Sequence, residues 1–580
     1  MSKDIDPKGN PMFEGFDAFV NKVLDDWKVP GMGVAIIKDG EVVLAKGYGY
    51  RNLEEKQPVD SETIFAIGSA SKAFASMAVG QLVDQGKLEW DKPVRDYMPT
   101  FRLHDPFASE RMSPRDLLCH RSGLPRHDLM WYSSPLSRKE IYERLRYLEP
   151  NKDFRTNFQY QNLMYLTAGY LVEYISGLTW EAFTQKEVFD KLDMSSSNFS
   201  VEESKKHENI ALPYSKEKED IKQVPFRNID AVGPAGSINS NVTDMAKWVI
   251  THLNGGKYGE SQIISKANLD QMHTATTPIP GSFFPGMEEV KELGDMAYGL
   301  GWFLQPYRGH RLVHHGGNID GFSALVSFMP DDNLGVVLLT NMNSTFSTFP
   351  VLLNAYDRLL GLEELELNDK FLSIIAKMEE AGEKGKEKSE ERRRKDTSPS
   401  HPLAEYAGKY EHPGYGPYTV ELVDGKLTGK YNSLAFNLKH YHFDIFEAVN
   451  TEEEQMSMKL SFLTDYEGNI SSISAPLEPS VKDIVFSRVA SDEMRDKDFL
   501  AQFAGKYRFM ETQIIDVALK EDVLTMAMMG QPEIELEPYQ GTEFKLKGVR
   551  ASVDFKIEDG KVVGADLLQG GAVFNAEKIE

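Results

Sequence analysis

Apolar and polar positions follow two different patterns along this chain, and the first pattern covers roughly residues 1–360. Short apolar runs stand near both ends of that segment, and longer helical patterns lie between them. Asp39-Gly40 separates the first two runs, and this pair between apolar runs is typical of a tight hairpin turn. The predicted strands are 34–37, 42–44, 324–328 and 335–339, and the predicted helices include 72–85 and 163–176. A sheet built from both ends of the segment around a helical middle predicts an α/β or α+β domain.

The second pattern of apolar and polar positions begins after a strongly charged segment. From Lys377 to Asp396, 15 of 20 residues are charged, which is typical of a solvated helix or linker. Beyond it, short alternating runs with glycine-rich turns predict strands, and residues 403–410 return in similar form at 500–507. We therefore predict two tandem β-barrel-like domains. The expected boundaries are 1–361 for the first domain, 362–402 for a charged linker, and 403–490 and 491–580 for the barrels.

Composition narrows the class of protein. Across 580 residues, 65 Lys and Arg against 89 Asp and Glu give a formal net charge of −24. Such an acidic chain disfavours nucleic acids and anionic membranes as partners. Cys119 is the only cysteine in the sequence, which excludes an intrachain disulfide and a cysteine-based metal site. Residues 1–7 lack the apolar core of a signal peptide, and no apolar run is long enough to span a membrane, so we expect a soluble cytoplasmic protein.

Several common catalytic motifs are missing, which leaves one candidate nucleophile. The sequence has no phosphate-binding loop, no H-E-x-x-H, no G-x-G-x-x-G after a strand and no G-x-S-x-G elbow. Ser69-x-x-Lys72 stands where a short apolar strand runs into a helix, and positions i and i+3 share a helix face. A lysine whose pKa is lowered by burial or by a nearby charge can activate a serine. The alternative is that Ser69 caps the helix and Lys72 faces solvent.

Two further motifs follow Ser69-x-x-Lys72 in order: Tyr160-x-Asn162 and His315-Gly316-Gly317. Together the three motifs resemble the serine β-lactamase and penicillin-binding-protein superfamily. The similarity is greatest to its class C-like branch of esterases, D-aminopeptidases and D,D-peptidases. The resemblance covers roughly residues 12–360 and implies a β-lactamase-like fold, an antiparallel sheet with a helical subdomain.

The histidine position of the third motif can be read in two ways. His314-x-Gly316 fits H-x-G as well as His315-x-Gly317, and residues 318–322 favour His315. His315 would replace the lysine of the K-T-G form of this motif. Because an imidazole recognises a carboxylate less strongly than a fixed ammonium does, this weakens the case for a true β-lactamase. Elsewhere, His440 and His442 share one strand face but have no acidic or thiol partner, so we predict no metal site.

The resemblance also implies roles for the motif residues. Ser69 would attack a carbonyl and form an acyl-enzyme, while Lys72 and Tyr160 share the proton transfers. Which of the two is the general base stays open. A nearby Lys⁺ would lower the pKa of the Tyr160 phenol. From its residue type alone, Tyr160 would rather be an aromatic packed between helices, and its place in the motif favours catalysis.

The remaining site residues would hold the substrate. The resemblance implies that Asn162 hydrogen-bonds Lys72 and the substrate amide, although a helix cap is the alternative. Gly316 and Gly317 would let substrate lie close to the strand, since glycine has no Cβ. The backbone N–H groups of Ser69 and Asn318 would form the oxyanion hole.

We therefore expect a serine hydrolase that needs no cofactor and cleaves an amide or ester in a small molecule or short peptide. D-aminopeptidases of this branch also carry two barrels after the catalytic domain, which favours D-amino-acid peptides or amides. A promiscuous carboxylesterase is the first alternative. A catalytically weak penicillin-binding or ligand-sensing protein is the second, and homo-oligomerisation stays open.

Overall fold

The Asp39-Gly40 turn joins two long strands, as the sequence predicts. Both turn residues have positive φ, 54° and 79°, which a two-residue hairpin of this type requires. The computed structural model describes residues 4–7, 9–217, 220–343, 345–453, 456–510, 512–528 and 530–580. In it, the first strand of the hairpin pairs with a strand from the far end of the segment, Leu334–Thr340. Both ends of the first 360 residues therefore build one sheet.

The described residues of this part of the chain form fifteen strands. They are β1 (Gly31–Lys38), β2 (Glu41–Asn52), β3 (Gln57–Pro58), β4 (Phe65–Ala66), β5 (Tyr214–Glu217), β6 (Asp220–Gln223), β7 (Asn239–Ser240), β8 (Lys257–Tyr258), β9 (Ser261–Gln262), β10 (Thr277–Pro278), β11 (Ala297–Tyr298), β12 (Phe303–Tyr307), β13 (His310–Ile319), β14 (Phe322–Met329) and β15 (Leu334–Thr340). Nine of them form an antiparallel sheet in the order β10-β11-β12-β13-β14-β15-β1-β2-β3, and the other six form three small pairs.

Where the structure describes the chain up to residue 391, fifteen helices accompany these strands. They are α1 (Phe16–Trp27), α2 (Lys72–Asp84), α3 (Val94–Tyr97), α4 (Pro106–Arg111), α5 (Pro114–Leu118), α6 (Arg138–Arg144), α7 (Asn162–Ser176), α8 (Trp180–Thr184), α9 (Asp190–Leu192), α10 (Val201–Ser204), α11 (Gly233–Gly236), α12 (Val242–Leu253), α13 (Lys266–Met272), α14 (Thr348–Leu360) and α15 (Leu367–Glu391). The predicted helices 72–85 and 163–176 correspond to α2 and α7 to within one residue.

Helices cover both faces of the sheet. On one face, α1, α14 and the first turns of α15 pack in a single apolar core with β1, β14 and β15. On the other face, α12 lies against β15 and β1. α2 is buried along nearly its whole length, and its Phe74 ring stacks on Trp248 of α12 with ring centres 3.9 Å apart. The fold is the expected β-lactamase-like domain, with an antiparallel sheet enclosed by helices.

The charged segment and the chain beyond it were predicted as a linker and two barrels. Within 362–402 lies the long helix α15, whose Leu367, Phe371 and Ile374 are buried in the first core. Its residues from 377 onward are exposed. The chain divides into two compact units, Met1–Arg392 with Glu478–Val481, and Arg393–Leu477 with Lys482–Glu580. The domain boundaries drawn from the sequence stay predictions.

The second unit contains two closed eight-stranded barrels, which confirms the predicted all-β architecture. The first comprises β16 (Gly408–His412), β17 (Gly416–Val423), β18 (Lys426–Tyr431), β19 (Leu434–His442), β20 (Ile445–Asn450), β21 (Ser457–Thr464), β22 (Ile470–Ala475) and β23 (Ile484–Val489), after the short helix α16 (Leu403–Tyr406). The second comprises β24 (Gly505–Phe509), β25 (Gln513–Lys520), β26 (Val523–Met528), β27 (Ile534–Gln540), β28 (Glu543–Leu546), β29 (Ala551–Glu558), β30 (Lys561–Gln569) and β31 (Ala572–Lys578), after α17 (Lys497–Ala501).

The internal repeat forms an equivalent hydrogen bond in both barrels. In the first, the buried Tyr410 hydroxyl donates to the backbone oxygen of Tyr406 at 2.9 Å. In the second, Tyr507 donates to the backbone oxygen of Phe503 at 2.7 Å. Each repeat thus ties the segment before the first strand to that strand. Across the described residues, no helix is both long and apolar enough to cross a membrane.

The Phe74–Trp248 stack should contribute strongly to the first unit. Phe74→Ala would leave a large cavity between α2 and α12 and should lower the free energy of unfolding by about 3–5 kcal/mol. The matched control is Tyr174→Ala on α7, because Tyr174 is 53% exposed, and it should change that energy by less than about 0.5 kcal/mol. Urea unfolding followed by tryptophan fluorescence measures both, since all six tryptophans lie in the first unit. Equal shifts for the two variants would contradict this packing role.

Candidate active site

A tight turn between β4 and α2 presents the predicted nucleophile, Ser69. The turn is the 3-10 helix Gly68–Ser71, and α2 begins directly after it. Gly68 adopts a positive φ of 50°, which a residue with a side chain adopts rarely. The N-cap position of α2 is Ser71, and no side-chain capping bond forms there. Ser69 therefore lies before the helix and does not cap it, contrary to the structural alternative considered for this residue.

Lys72 points into the protein interior and is fully buried. Its Nζ lies 3.0 Å from Ser69 Oγ, 2.8 Å from Asn162 Oδ1 and 2.8 Å from the backbone oxygen of Ala235. Burial, aided by the nearby Arg126 guanidinium, holds the pKa of Lys72 well below its usual 10.5. The alternative of a solvent-facing lysine is therefore wrong.

The three oxygens around Lys72 define how a neutral amine would be arranged. A neutral amine has two N–H donors and one lone pair. The oxygens of Asn162 and Ala235 can only accept, so they take the two N–H groups. The lone pair then faces Ser69, whose hydroxyl can donate to it over 3.0 Å. This is the arrangement that a general base needs in order to remove the serine proton.

Asn162 is held by its neighbours in an orientation that serves Lys72. Gln161, not Asn162, caps α7: its side chain accepts from the backbone N–H of Leu163. The alternative of Asn162 as the cap is therefore wrong. Asn162 is free to accept from Lys72, and its Nδ2 donates to Asp128 Oδ1 at 3.0 Å.

Tyr160 lies over the same lysine. Lys72 Nζ is 4.9 Å from the centre of the Tyr160 ring. Burial raises the pKa of Tyr160 to about 12, although a hydrogen bond to Ser69 opposes the shift. The sequence-based expectation of a lowered phenol pKa is wrong, because the nearby amine is buried and its own pKa is depressed. Tyr160 is thus a neutral phenol that can donate a proton, and Lys72 is the better candidate for the base.

Residues 117–125, at the end of α5 and just after it, help to hold Tyr160 in place. His120 is buried, and its ring packs on Tyr160 with ring centres 4.3 Å apart. Its Nδ1 accepts from the backbone N–H of Gln161 at 3.0 Å. The Gln161 side chain also donates to the backbone oxygen of Pro125 at 2.6 Å. The segment before α7 is therefore fixed from both sides.

His315 adjoins this cluster from β13. Its Nδ1 lies 2.6 Å from the backbone oxygen of Gly316, which can only accept, so Nδ1 carries the proton. Its Nε2 then accepts from the Tyr298 hydroxyl at 2.8 Å. Burial holds the pKa of His315 well below its usual 6.5, so the ring is neutral. Its ring centre is 6.4 Å from that of Tyr160, and within the described chain it makes no hydrogen bond to Ser69 or Lys72.

A free strand edge lies beside the nucleophile. β12 pairs with β13 only as far as Phe303 opposite His314, so the edge of β13 beyond that point is uncovered by a strand. A Cβ on Gly317 would lie 1.8 Å from the backbone oxygen of Ile67 and 2.9 Å from the backbone nitrogen of Ser69. A Cβ on Gly68 would lie 2.8 Å from the backbone nitrogen of Asn318. The two backbone groups predicted for the oxyanion hole therefore lie in one tight contact.

A cavity of about 380 Å³ opens at this edge. Ser69 and Tyr160 line it together with the predicted residues His315, Gly316 and Asn318. The remaining wall is mainly apolar: Phe283, Phe284, Met287, Met296, Phe303, Ala324, Leu325, Phe346 and Phe349, with Arg126, His314, Ser323, Thr345 and Thr348 as polar members. His314 also reaches the cavity, although it lies one position from His315 on the strand. Asn162 and Gly317 lie behind the lining residues.

Sequence reasoning missed three residues of this site. Arg126 lines the cavity and its Nε donates to Asp128 Oδ2 at 2.6 Å. Asp128 in turn holds Asn162, and Tyr298 holds His315. Arg126 directly follows residues 117–125, a stretch whose sequence also looks like the β-lactamase and penicillin-binding-protein superfamily, and this likeness was a usable signal. Nothing in the sequence marked Tyr298. In the described residues, no group of three or more potential metal ligands occurs.

Comparisons with known proteins agree with this fold. The Beta-lactamase family model matches residues 16–356, and a domain of unknown function, DUF3471, matches 392–488 and 491–577. An Unguisins hydrolase, ungD′ of Aspergillus campestris, is 28% identical over 72% of this chain and 80% of its own length.

Two solved structures share the fold. The octameric penicillin-binding protein homologue from Pyrococcus abyssi has a TM-score of 0.53 and 24% identity, covering 82% of this chain and 99% of that one. The D-amino acid amidase from Ochrobactrum anthropi SV3 has a TM-score of 0.50 and 22% identity, covering 61% of this chain and 98% of that one.

The contact between β13 and the nucleophile turn should tolerate no side chain at Gly317. Gly317→Ala should lower kcat/KM by about a hundredfold, because a misplacement of about 1 Å near the reacting atoms has that effect. Gly316→Ala is the matched control, since a Cβ there would approach no atom closer than 3.6 Å. Its loss should be at least about tenfold smaller, by the same reasoning. Similar losses in steady-state kinetics of the two variants would contradict the role of this contact.

The depressed pKa of Lys72 should make stability depend on pH. Between that depressed value and 10.5, the unfolded chain binds a proton at Lys72 that the folded chain does not. Stability of the wild type therefore rises with pH in this window and is lost as pH falls, by up to about 1.4 kcal/mol per pH unit. Lys72→Met removes this pH-dependent contribution to the free energy of unfolding.

Urea unfolding at a series of pH values checks this prediction. The difference in unfolding free energy between Lys72→Met and wild type should shift in favour of wild type as pH rises towards 10.5. All other titrating groups are common to both proteins and cancel in the difference. A difference that stays constant across this range would show that Lys72 has an ordinary pKa in the folded protein.

Proposed function

The chain belongs to the Beta-lactamase family and is a hydrolytic enzyme, and we propose that it cleaves amide bonds through an acyl-enzyme on Ser69. One observation carries this proposal: a buried amine whose two acceptor-only neighbours leave its lone pair facing Ser69 Oγ at 3.0 Å. Lys72 is fully buried, and burial lowers its pKa well below 10.5, which makes the amine a stronger candidate for the base. The base and the nucleophile are therefore already paired in the absence of substrate.

The steps of the proposed reaction follow from these positions. Lys72 accepts the Ser69 proton while Oγ bonds to the substrate carbonyl carbon. The backbone N–H groups of Ser69 and Asn318 stabilise the negative oxygen, which is worth about 3–4 kcal/mol for one such donor. Tyr160, a neutral phenol, passes a proton to the leaving nitrogen as the C–N bond breaks, and regains one from Lys72. Water then attacks the acyl-enzyme, with the same groups acting in reverse.

The cavity favours a substrate with a large apolar group on its acyl side. Its volume of about 380 Å³ lies within the range of small-molecule sites, about 300–1,000 Å³. Aromatic side chains such as Phe283, Phe303 and Phe349 form much of its wall. Such walls bind apolar and aromatic groups by burial and ring contact.

The proposal that the substrate is an amide with D-configured residues rests on related proteins. One relative is named as a hydrolase of unguisins, and one protein of the same fold is named as a D-amino acid amidase. A neutral His315 in place of a cationic lysine favours an amidase over a β-lactamase. These points support a D-aminopeptidase-like or D-amidase-like activity, with a carboxylesterase as the alternative.

A ligand-sensing role receives less support. Such a protein would hold a ligand in a barrel, yet the one cavity found inside the second barrel, among its described residues, has a volume of about 10 Å³. That is roughly the space for a single water. The intact set of Ser69, Lys72 and Tyr160 also favours turnover over mere binding.

Hydrolysis of matched chromogenic substrates tests the proposal. Wild type should release p-nitroaniline from D-phenylalanine p-nitroanilide faster than from the L-enantiomer, and should hydrolyse a cephalosporin poorly. Ser69→Ala should lower amide turnover by at least about a thousandfold, as for other removed serine nucleophiles. Cleavage of p-nitrophenyl esters alone would favour the esterase alternative. Equal amide turnover by wild type and Ser69→Ala would refute the acyl-enzyme.

A further inference from the structure

One cation stands in an otherwise uncharged cavity. Among the described residues that line it, Arg126 is the one with a fixed charge. The two histidines of the lining are neutral, because burial holds the pKa of His315 well below its usual value and that of His314 at about 4. Lys72 lies behind the lining, and burial holds its pKa well below its usual 10.5. A positive charge beside apolar walls is a feature that a ligand, not the fold, would use.

Arg126 is held in place through one of its nitrogens. Its Nε donates to Asp128 Oδ2 at 2.6 Å, and its guanidinium carbon lies 5.1 Å from the centre of the Tyr160 ring. Within the described chain, its two terminal nitrogens have no hydrogen-bond partner, and its side chain is 52% exposed. These nitrogens form the edge of the guanidinium that binds a carboxylate through two parallel hydrogen bonds.

The charge of Asp128 is already engaged by other groups. Its Oδ1 accepts from Asn162 Nδ2 and from Trp131 Nε1, each at 3.0 Å, while Oδ2 accepts from Arg126. Asp128 therefore fixes the orientation of Arg126 through Nε, and the Glu478 carboxylate also acts on its charge. Neither of them makes a hydrogen bond to the two terminal nitrogens, which stay available to an anionic ligand.

We propose that Arg126 binds the free carboxylate of the leaving group, so that the preferred substrates are short peptides with an unblocked C-terminus. This inference rests on the proposed function and deepens it. Arg126 lies against Tyr160, the group proposed to protonate the leaving nitrogen, so it lies on the leaving-group side of the scissile bond. A residue with a free α-carboxylate would place that anion beside the guanidinium. The fixed charge that His315 lacks is thus supplied by a different segment of the chain.

Two substrates that differ only in this charge test the inference. D-Phe-Gly has a free carboxylate and D-Phe-Gly-amide does not. Wild type should hydrolyse the acid with kcat/KM about ten- to a hundredfold above that of the amide, mostly through KM, because one charged hydrogen-bonded contact has that value. Arg126→Met should bring the ratio to within about threefold of one, and Arg126→Lys should keep part of it, since a lysine offers charge without the fork.

Comparing the ratio of kcat/KM for the acid to that for the amide removes other effects of the Arg126→Met substitution. Arg126 also influences the pKa of Lys72, and this affects both substrates equally at one pH. Arg146→Met, an exposed arginine of the same unit, controls for the change in net charge and should keep the wild-type ratio. A ratio that is the same in wild type and Arg126→Met would overturn the inference.

Direct binding separates this inference from the proposed function. Calorimetry with the Ser69→Ala chain needs no turnover, and D-Phe-Gly and D-Phe-Gly-amide again serve as probes. D-Phe-Gly should bind at least about tenfold more tightly, and the added Arg126→Met substitution should abolish that difference. Equal affinities would overturn the role of Arg126 whatever the enzyme hydrolyses. Turnover that does not require Ser69, by contrast, would refute the acyl-enzyme. The binding result would still test the role of Arg126, because it does not depend on turnover.

Discussion

Lys72 places an amine where water does not reach it, and the rest of the site is arranged around that constraint. An isolated charge in such a position costs several kcal/mol, and this cost holds the pKa of the amine well below its usual 10.5. Three segments far apart in the chain supply the oxygens that surround it, on Ser69, Asn162 and Ala235. Two of these oxygens can only accept, and this leaves the lone pair of the neutral amine for the serine. The base is therefore prepared by the fold itself.

The same constraint explains why two glycines stand where the sheet meets the nucleophile turn. Ser69 can reach the buried amine only if its turn lies directly against β13. Gly68 and Gly317 permit this, because a Cβ on either would meet backbone atoms at 2.8 Å or less. The contact brings the backbone nitrogens of Ser69 and Asn318 together at the uncovered strand edge. An apolar cavity opens along that edge, with Arg126 as the fixed charge among its described lining residues.

Much of the fold could be predicted because its signals are local. The Asp39-Gly40 turn, α2, α7 and the repeated barrel entry at residues 403–410 and 500–507 each follow from short-range patterns. Ser69 and Lys72 could also be paired from their spacing, because the 3-10 turn that holds Ser69 leads directly into α2, where Lys72 is the first residue. The protonation states could not be predicted from the sequence, because they depend on burial by distant segments. The phenol of Tyr160, for example, has a raised pKa and not the lowered pKa that was expected. Tyr298 and Asp128 act through side chains that meet only in the folded protein, so no sequence pattern marked them.

The rate at which Ser69 is phosphonylated by a fluorophosphonate, measured against pH in wild type and Lys72→Met, tests the central claim most directly. This reagent needs an activated serine but no particular substrate. The account predicts that wild type reacts rapidly, that its rate rises with pH to a plateau whose midpoint lies well below 10.5, and that Lys72→Met reacts slowly without that dependence. Mass spectrometry should place the added group on Ser69. Equal rates for the two proteins at every pH would contradict the claim that a neutral Lys72 activates Ser69.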